Sequence, residues 1–177
     1  YFYMAAYNRD LILEGFKRPR KKKLKPVVLT VSEVRKIAIS AENLKHRLMI
    51  ELAYTAGLRV SELVVVKVQH MNLDKLMLFV PGLGKLGART TIFSGGLKDA
   101  LQRQVGNKKP GDYLFPSERG GNLTTRSVTK FFKNALTSSG VEKQVTPHSL
   151  RQSFTAFMLA KGTNRFAVQT LLGRRGL

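Results

Sequence analysis

Two arginines in separate segments carry the strongest chemical signal in the chain: Arg59 in Thr55-Ala-Gly-Leu-Arg-Val-Ser-Glu-Leu63, and Arg151 in Thr146-Pro-His-Ser-Leu-Arg-Gln-Ser-Phe154. A guanidinium is planar, stays charged at any physiological pH and offers a fork of donors. Two forks converging on one point therefore suit a phosphodiester. His148 precedes Arg151 by three residues. That spacing sets both on one face of a helix start, where unsatisfied backbone N–H groups favour an anion. Glu62 follows Arg59 at the same spacing and can either steady the Arg59 fork or cap a helix near Ser61. Lys85, flanked by glycines, can swing toward a leaving oxygen and protonate it. Taken singly, each of these residues also fits an ordinary solvated surface.

The charge of the whole chain favours the chemical reading. With 31 Lys plus Arg against 11 Asp plus Glu in 177 residues, the formal net charge is +20. The partner expected of such a chain is a polyanion, because neutralising phosphates releases condensed counterions. Nucleic acid leads over a membrane surface, since no apolar run reaches the ~18 residues of a spanning segment and the basic residues are not confined to one amphipathic helix. The absence of cysteine excludes disulfides, zinc ribbons and thiol nucleophiles, and fits a reducing interior, either cytoplasm or nucleoid.

These residues need rigid elements to bring them together. Tyr1 to Phe16 carries Tyr3, Tyr7 and Leu11 at near-helical spacing and reads as the tail of something longer. Lys17, Arg18, Arg20, Lys21, Lys22, Lys23 and Lys25 follow, interrupted by Pro19 and closed by Pro26. This pattern disfavours helix and reads as an extended linker over 17–26, either a solvated hinge or a strap along a phosphate backbone. From Thr30 a compact domain begins. Thr30-Val-Ser-Glu33 is a capping box opening a helix with Val34 and Ile37 on its apolar face.

Leu44, Leu48, Met49, Leu52 and Ala53 form the stripe of a second helix, with Gly57 placed for a left-handed cap. A short helix is expected over Ser61 to Val66, then strands over Leu76 to Val80 and Ala88 to Phe93, joined by the glycine-rich Pro81 to Gly87 with Lys85 near its tip. Val128, Phe131, Phe132, Ala135 and Leu136 mark a core-facing helix stopped at Ser138-Ser-Gly140. Thr146-Pro147 starts the helix of His148 and Arg151, with Leu150, Phe154, Phe157 and Met158 facing inward until Gly162. Asn164 caps the last helix, ending at Leu172-Gly173. The expected fold is mainly α with a small antiparallel β-sheet (α+β).

Taken in order, Thr55 to Leu63, the Gly84-Lys85 hairpin with Arg89, Asp112-Tyr-Leu-Phe115, Thr146 to Arg151 and Val168-Gln-Thr-Leu-Leu-Gly173 together resemble the catalytic domain of tyrosine recombinases, the phage-integrase and Xer class. The resemblance covers 27–177. It makes 1–16 the remnant of a core-binding-domain helix. The activity it implies is site-specific DNA recombination, in which a tyrosine attacks a phosphodiester, forms a 3′-phosphotyrosine link and releases a 5′-hydroxyl. By this similarity Arg59 and Arg151 bracket the non-bridging oxygens, Lys85 protonates the leaving oxygen, His148 assists proton transfer and Glu62 supports the arginines. Double-stranded DNA is the implied partner, contacted also by Arg89 and the linker. No metal or nucleotide cofactor is implied, and the active assembly is a homo-tetramer on DNA.

Two departures accompany the resemblance. Arg174 stands where the family has His or Trp. The family's nucleophilic tyrosine lies beyond that point, whereas the given residues end at Leu177, so the chain as read is expected to hold DNA without attacking it. Tyr1, Tyr3, Tyr7, Tyr54 and Tyr113 stand outside the motif, and Tyr54 is expected to pack within its helix. A DNA-binding protein that keeps the clamp but does not cleave is the alternative. A two-metal nuclease requires clustered carboxylates, and the acids here are scattered. An RNA-binding protein explains the charge but not the ordered set, and RNA-recognition aromatic motifs are absent.

Overall fold

The computed structural model describes residues 27–82 and 87–173. The expectations for the tail and linker over 1–26, for the hairpin tip with Lys85 and for Arg174 lie outside these residues. Helix α1 (Val31–Ile39) begins with the anticipated box: the Thr30 hydroxyl accepts the Glu33 N–H at 3.2 Å, and Glu33 Oε2 accepts the Thr30 N–H at 2.7 Å. Helix α2 (Leu44–Thr55) is capped by Asn43, whose Oδ1 accepts the His46 N–H at 2.8 Å. Its inward face holds Leu48, Met49, Leu52 and Ala53, all buried. Leu44, expected in the same stripe, is 80% exposed. It occupies the first helical position, and the buried face of α2 begins only at Leu48.

Gly57 ends α2 with φ +60°, and Leu58 N–H returns to the Ala53 carbonyl at 3.1 Å. A side chain is excluded there twice over, by the left-handed backbone and by space: a Cβ would lie 2.6 Å from Phe154 Cδ1. Helix α3 (Val60–Leu63) is a single turn and stops short of the expected Val66. The stretch beyond it is tied to Asp112-Tyr-Leu-Phe115: the Val66 carbonyl accepts the Leu114 N–H at 2.8 Å, and Lys67 bridges Tyr113 as in an antiparallel pair. Leu114 and Phe115 in that motif are core residues.

Strands β1 (Met71–Asn72), β2 (Met77–Val80) and β3 (Arg89–Ile92) form an antiparallel sheet in the order β1-β2-β3, with Met71 opposite Leu78, Met77 opposite Ile92 and Val80 opposite Arg89. β2 and β3 are the expected hairpin, while β1 is too short to show an alternation. Helix α4 (Lys98–Val105) also has no clear sequence signal, since Leu101 is its only buried residue. Helices α5 (Thr125–Ser138), α6 (Pro147–Ala160) and α7 (Arg165–Leu172) complete the described fold.

α2 packs between α1 and α6, α5 closes over α1, and α7 lies on α6 and against β3. The main core runs from Leu29 to Leu150, and Phe154, Val168 and Leu172 form a smaller apolar cluster between α6 and α7. Tyr54 is buried as expected. Phe157 departs from its inward placement. It is 38% exposed at the outer end of α6, tilted against Tyr54 with ring centroids 6.5 Å apart and Lys161 Nζ 5.7 Å from its own ring centroid.

Candidate functional site

Three arginines from distant segments meet on the carboxylate of Glu62. Glu62 is the third residue of α3, where its Oε2 accepts the Arg59 N–H at 2.7 Å, and Arg59 Nη1 donates to Oε1 at 2.9 Å. Both sequence readings of Glu62 thus hold together: it caps α3 and fixes the Arg59 fork. Arg89, at the start of β3, grips the same carboxylate with two parallel bonds, Nη1 to Oε1 at 2.6 Å and Nη2 to Oε2 at 2.8 Å. Arg151, in α6, brings Nη1 to 3.5 Å from Oε2. These four side chains carry three positive charges and one negative, a formal excess of two.

Backbone carbonyls share in holding that excess. Arg151 Nη1 donates to the Gly57 carbonyl at 2.6 Å and its Nη2 to the Leu172 carbonyl at 2.5 Å, while Arg89 Nε donates to the Leu171 carbonyl at 2.8 Å. The acceptors are the C-terminal ends of α2 and α7, whose last carbonyls lack intrahelical partners and carry the negative end of the helix dipole. Thr91 Oγ1 adds a bond to the Ala56 carbonyl at 3.0 Å, tying β3 to the same end of α2.

Burial divides the cluster. Glu62 and Arg151 are 2% and 1% exposed, and Arg89 is 8% exposed, but the Arg59 side chain is open to 26%. Burial pushes the Glu62 carboxyl up. Hydrogen bonds from Arg89 and the Arg59 backbone, with the charges of Arg89 and Arg151, outweigh it and hold the group below its ordinary value. Glu62 is therefore ionised at neutral pH, as a buried acid facing three guanidiniums must be.

His148 is the second residue of α6, exposed, one turn before Arg151. The helix start is set by Pro147 at its first position, and by Ser149, whose Oγ accepts the Thr146 N–H at 3.2 Å. Of the expected site residues, Arg59, Glu62, Arg151 and Arg89 are brought together, and His148 stands on the same helix as Arg151. Sequence reasoning missed the role of Arg89 as a buried brace on Glu62, and the only signal available was its place at the foot of the hairpin. Among the described residues no three His, Asp or Glu side chains gather as a metal site would need.

A mainly helical frame with a small antiparallel sheet, holding arginines from three segments on one buried acid, is the catalytic-domain fold of tyrosine recombinases, and the chain belongs to the phage integrase family, whose model matches residues 27–176. Among its relatives, tyrosine recombinase XerA of Pyrococcus horikoshii is 37% identical over 180 residues, covering 99% of this chain and 62% of the relative. Tyrosine recombinase XerD of Listeria innocua is 33% identical over 169 residues, covering 88% of this chain and 56% of the relative. The crystal structure of XerA recombinase superposes with a TM-score of 0.77 at 25% identity, over 88% of this chain and 58% of that one. The chain thus spans about three fifths of the length of the relatives it matches.

Proposed function

We propose that this chain is the catalytic domain of a site-specific DNA recombinase that cuts and rejoins duplex DNA through a 3′-phosphotyrosine link. The observation that carries the reading is the convergence of Arg59 and Arg151 on Glu62, with one arm open and the other deeply seated. Arg151 forms the floor of a phosphate clamp and Arg59 its accessible side. The clamp is preorganised, since both guanidiniums are held by a carboxylate or by carbonyls before any ligand arrives. Such a site needs little rearrangement as charge develops on the phosphoryl oxygens. His148 provides a proton-transfer group at the edge, and Lys85 delivers the proton to the leaving 5′-oxygen. Arg174 serves as a further hydrogen-bond donor to the phosphate.

The basic residues of 17–26 act as a strap along the DNA backbone, joining the domain to the core-binding segment represented by 1–16. The working assembly is a tetramer on two DNA sites in the cytoplasm or nucleoid. No helix among the described residues is long and apolar enough to cross a membrane. The 177 residues are expected to bind duplex DNA in a salt-sensitive way without becoming linked to it, because no tyrosine among them occupies the family's attacking position. A duplex nicked to trap the link tests both statements. A covalent band from these 177 residues would overturn the second. Duplex binding unchanged by Arg59→Ala and by Arg151→Ala would overturn the clamp. A protein continued past Leu177 to a tyrosine should form the covalent band, and failure to do so would remove the cleavage reading.

A further inference from the structure

Arg89 commits all three of its guanidinium nitrogens to partners within the protein. Its two Nη atoms lie against the two oxygens of Glu62, its Nε donates to the Leu171 carbonyl, and its side chain is 5% exposed. The stem of the side chain is equally confined. Gly173, which closes α7 with φ +62°, approaches so closely that a Cβ there would lie 2.8 Å from Arg89 Cδ. Arg89 therefore touches three things at once: the acid that orients Arg59, the last turn of α7, and the glycine through which the chain leaves that turn. It also begins β3, four residues after Lys85.

We propose that Arg89 is a positioning residue that makes no contact with DNA: it locks Glu62 and the end of α7 in one frame, so that the arginine clamp and the chain leaving at Gly173 keep a fixed relation. The inference rests on the phosphate-clamp reading and deepens it. A lysine cannot replace the arginine. One ammonium has no planar fork to match both carboxylate oxygens while a third N–H reaches a carbonyl at the side. Charge alone is therefore not the property that matters.

The test follows the arginine Nε–H groups of the 177-residue protein by nuclear magnetic resonance while a short blunt DNA duplex is added. The Arg89 signal should exchange slowly with water and hold its position while the Arg59 signal moves. An Arg89 signal that shifts as far as that of Arg59 overturns the proposal, and this measurement needs no substitution. Duplex affinity supplies the second arm. Arg89→Met and Arg89→Lys should both weaken binding about tenfold, the scale expected when a well-placed group loses its support. Arg89→Lys binding as tightly as the parent would show that charge is enough and overturn the proposal. Arg59→Met separates the two ideas: if it binds like the parent while Arg89 behaves as described, the clamp fails and the brace stands.

Discussion

Two glutamates in this chain perform the same local task in very different surroundings. Glu33 and Glu62 each occupy the third position of a helix and accept the N–H of the capping residue at 2.7 Å, and each receives a cation from far along the chain. Glu33 is held by Lys143 at 2.8 Å, near the surface, with the pair 24% and 39% exposed. Glu62 is sealed beneath Arg89 and Arg151. The cap is the same. What differs is the cost of losing the carboxylate: water can take its place at Glu33, but nothing can at Glu62. A capping motif becomes a functional-site scaffold when its acid is buried and the cations it gathers outnumber it.

The sharpest way to break this comparison is to remove each acid in turn. Glu62→Ala should lower stability by about 3–5 kcal/mol in denaturant unfolding, because buried guanidiniums are left facing one another. A loss below about 1 kcal/mol would place Glu62 in the same class as Glu33. Next in size, Gly57→Ala should cost about 2–4 kcal/mol, from a left-handed backbone and a Cβ pressed on Phe154, by thermal or denaturant melting. It disturbs the carbonyl that receives Arg151 and should weaken duplex binding as well.

Acid titration sharpens the contrast through linkage. Glu33, through its bond from Lys143, and Glu62, against the opposing effect of burial and through its bonds from Arg89 and the Arg59 backbone, both titrate below the ordinary carboxylate value in the folded state. Each therefore adds stability that is complete above the unfolded carboxylate range and is lost as pH falls through the depressed folded value. Melting temperature followed downward from pH 6 should fall in the parent, and Glu62→Gln should remove more of that slope than Glu33→Gln. The smallest expected effect is the loss from Glu33→Gln at neutral pH, about 0.5–1 kcal/mol by the same unfolding measurement.

Much of this arrangement could be read before the structure was seen, and the reasons are local. Thr30 with Glu33 and Asn164 announce helix starts by hydrogen bonds to near neighbours in sequence, Pro147 by its fixed φ and missing N–H, and all three mark helix starts in the fold. Leu44 and Phe157 misled because a helical stripe shows which face is apolar but not how far a partner extends along it. β1 and α4 left too few buried residues to form a pattern. The bonds of Arg89 to Glu62 and to the end of α7 were the least legible feature: an arginine at the foot of a hairpin reads as a contact for DNA, and its bonds within the protein appear only in the fold. Its true partners lie 27 residues before it and 82 after, a separation no spacing rule spans.

The segment leading into α1 is bonded to a part of the molecule far along the chain. Leu29 N–H donates to Ser153 Oγ at 2.8 Å, Ser153 passes the bond to the Ser149 carbonyl at 2.7 Å, and Lys143 Nζ holds the Val28 carbonyl at 3.0 Å. The entering segment is thus hitched to α6 before it reaches α1. Tension arriving along the backbone at Val27 loads first the flank of the helix that carries His148 and Arg151, with Ser153 as the coupling pin.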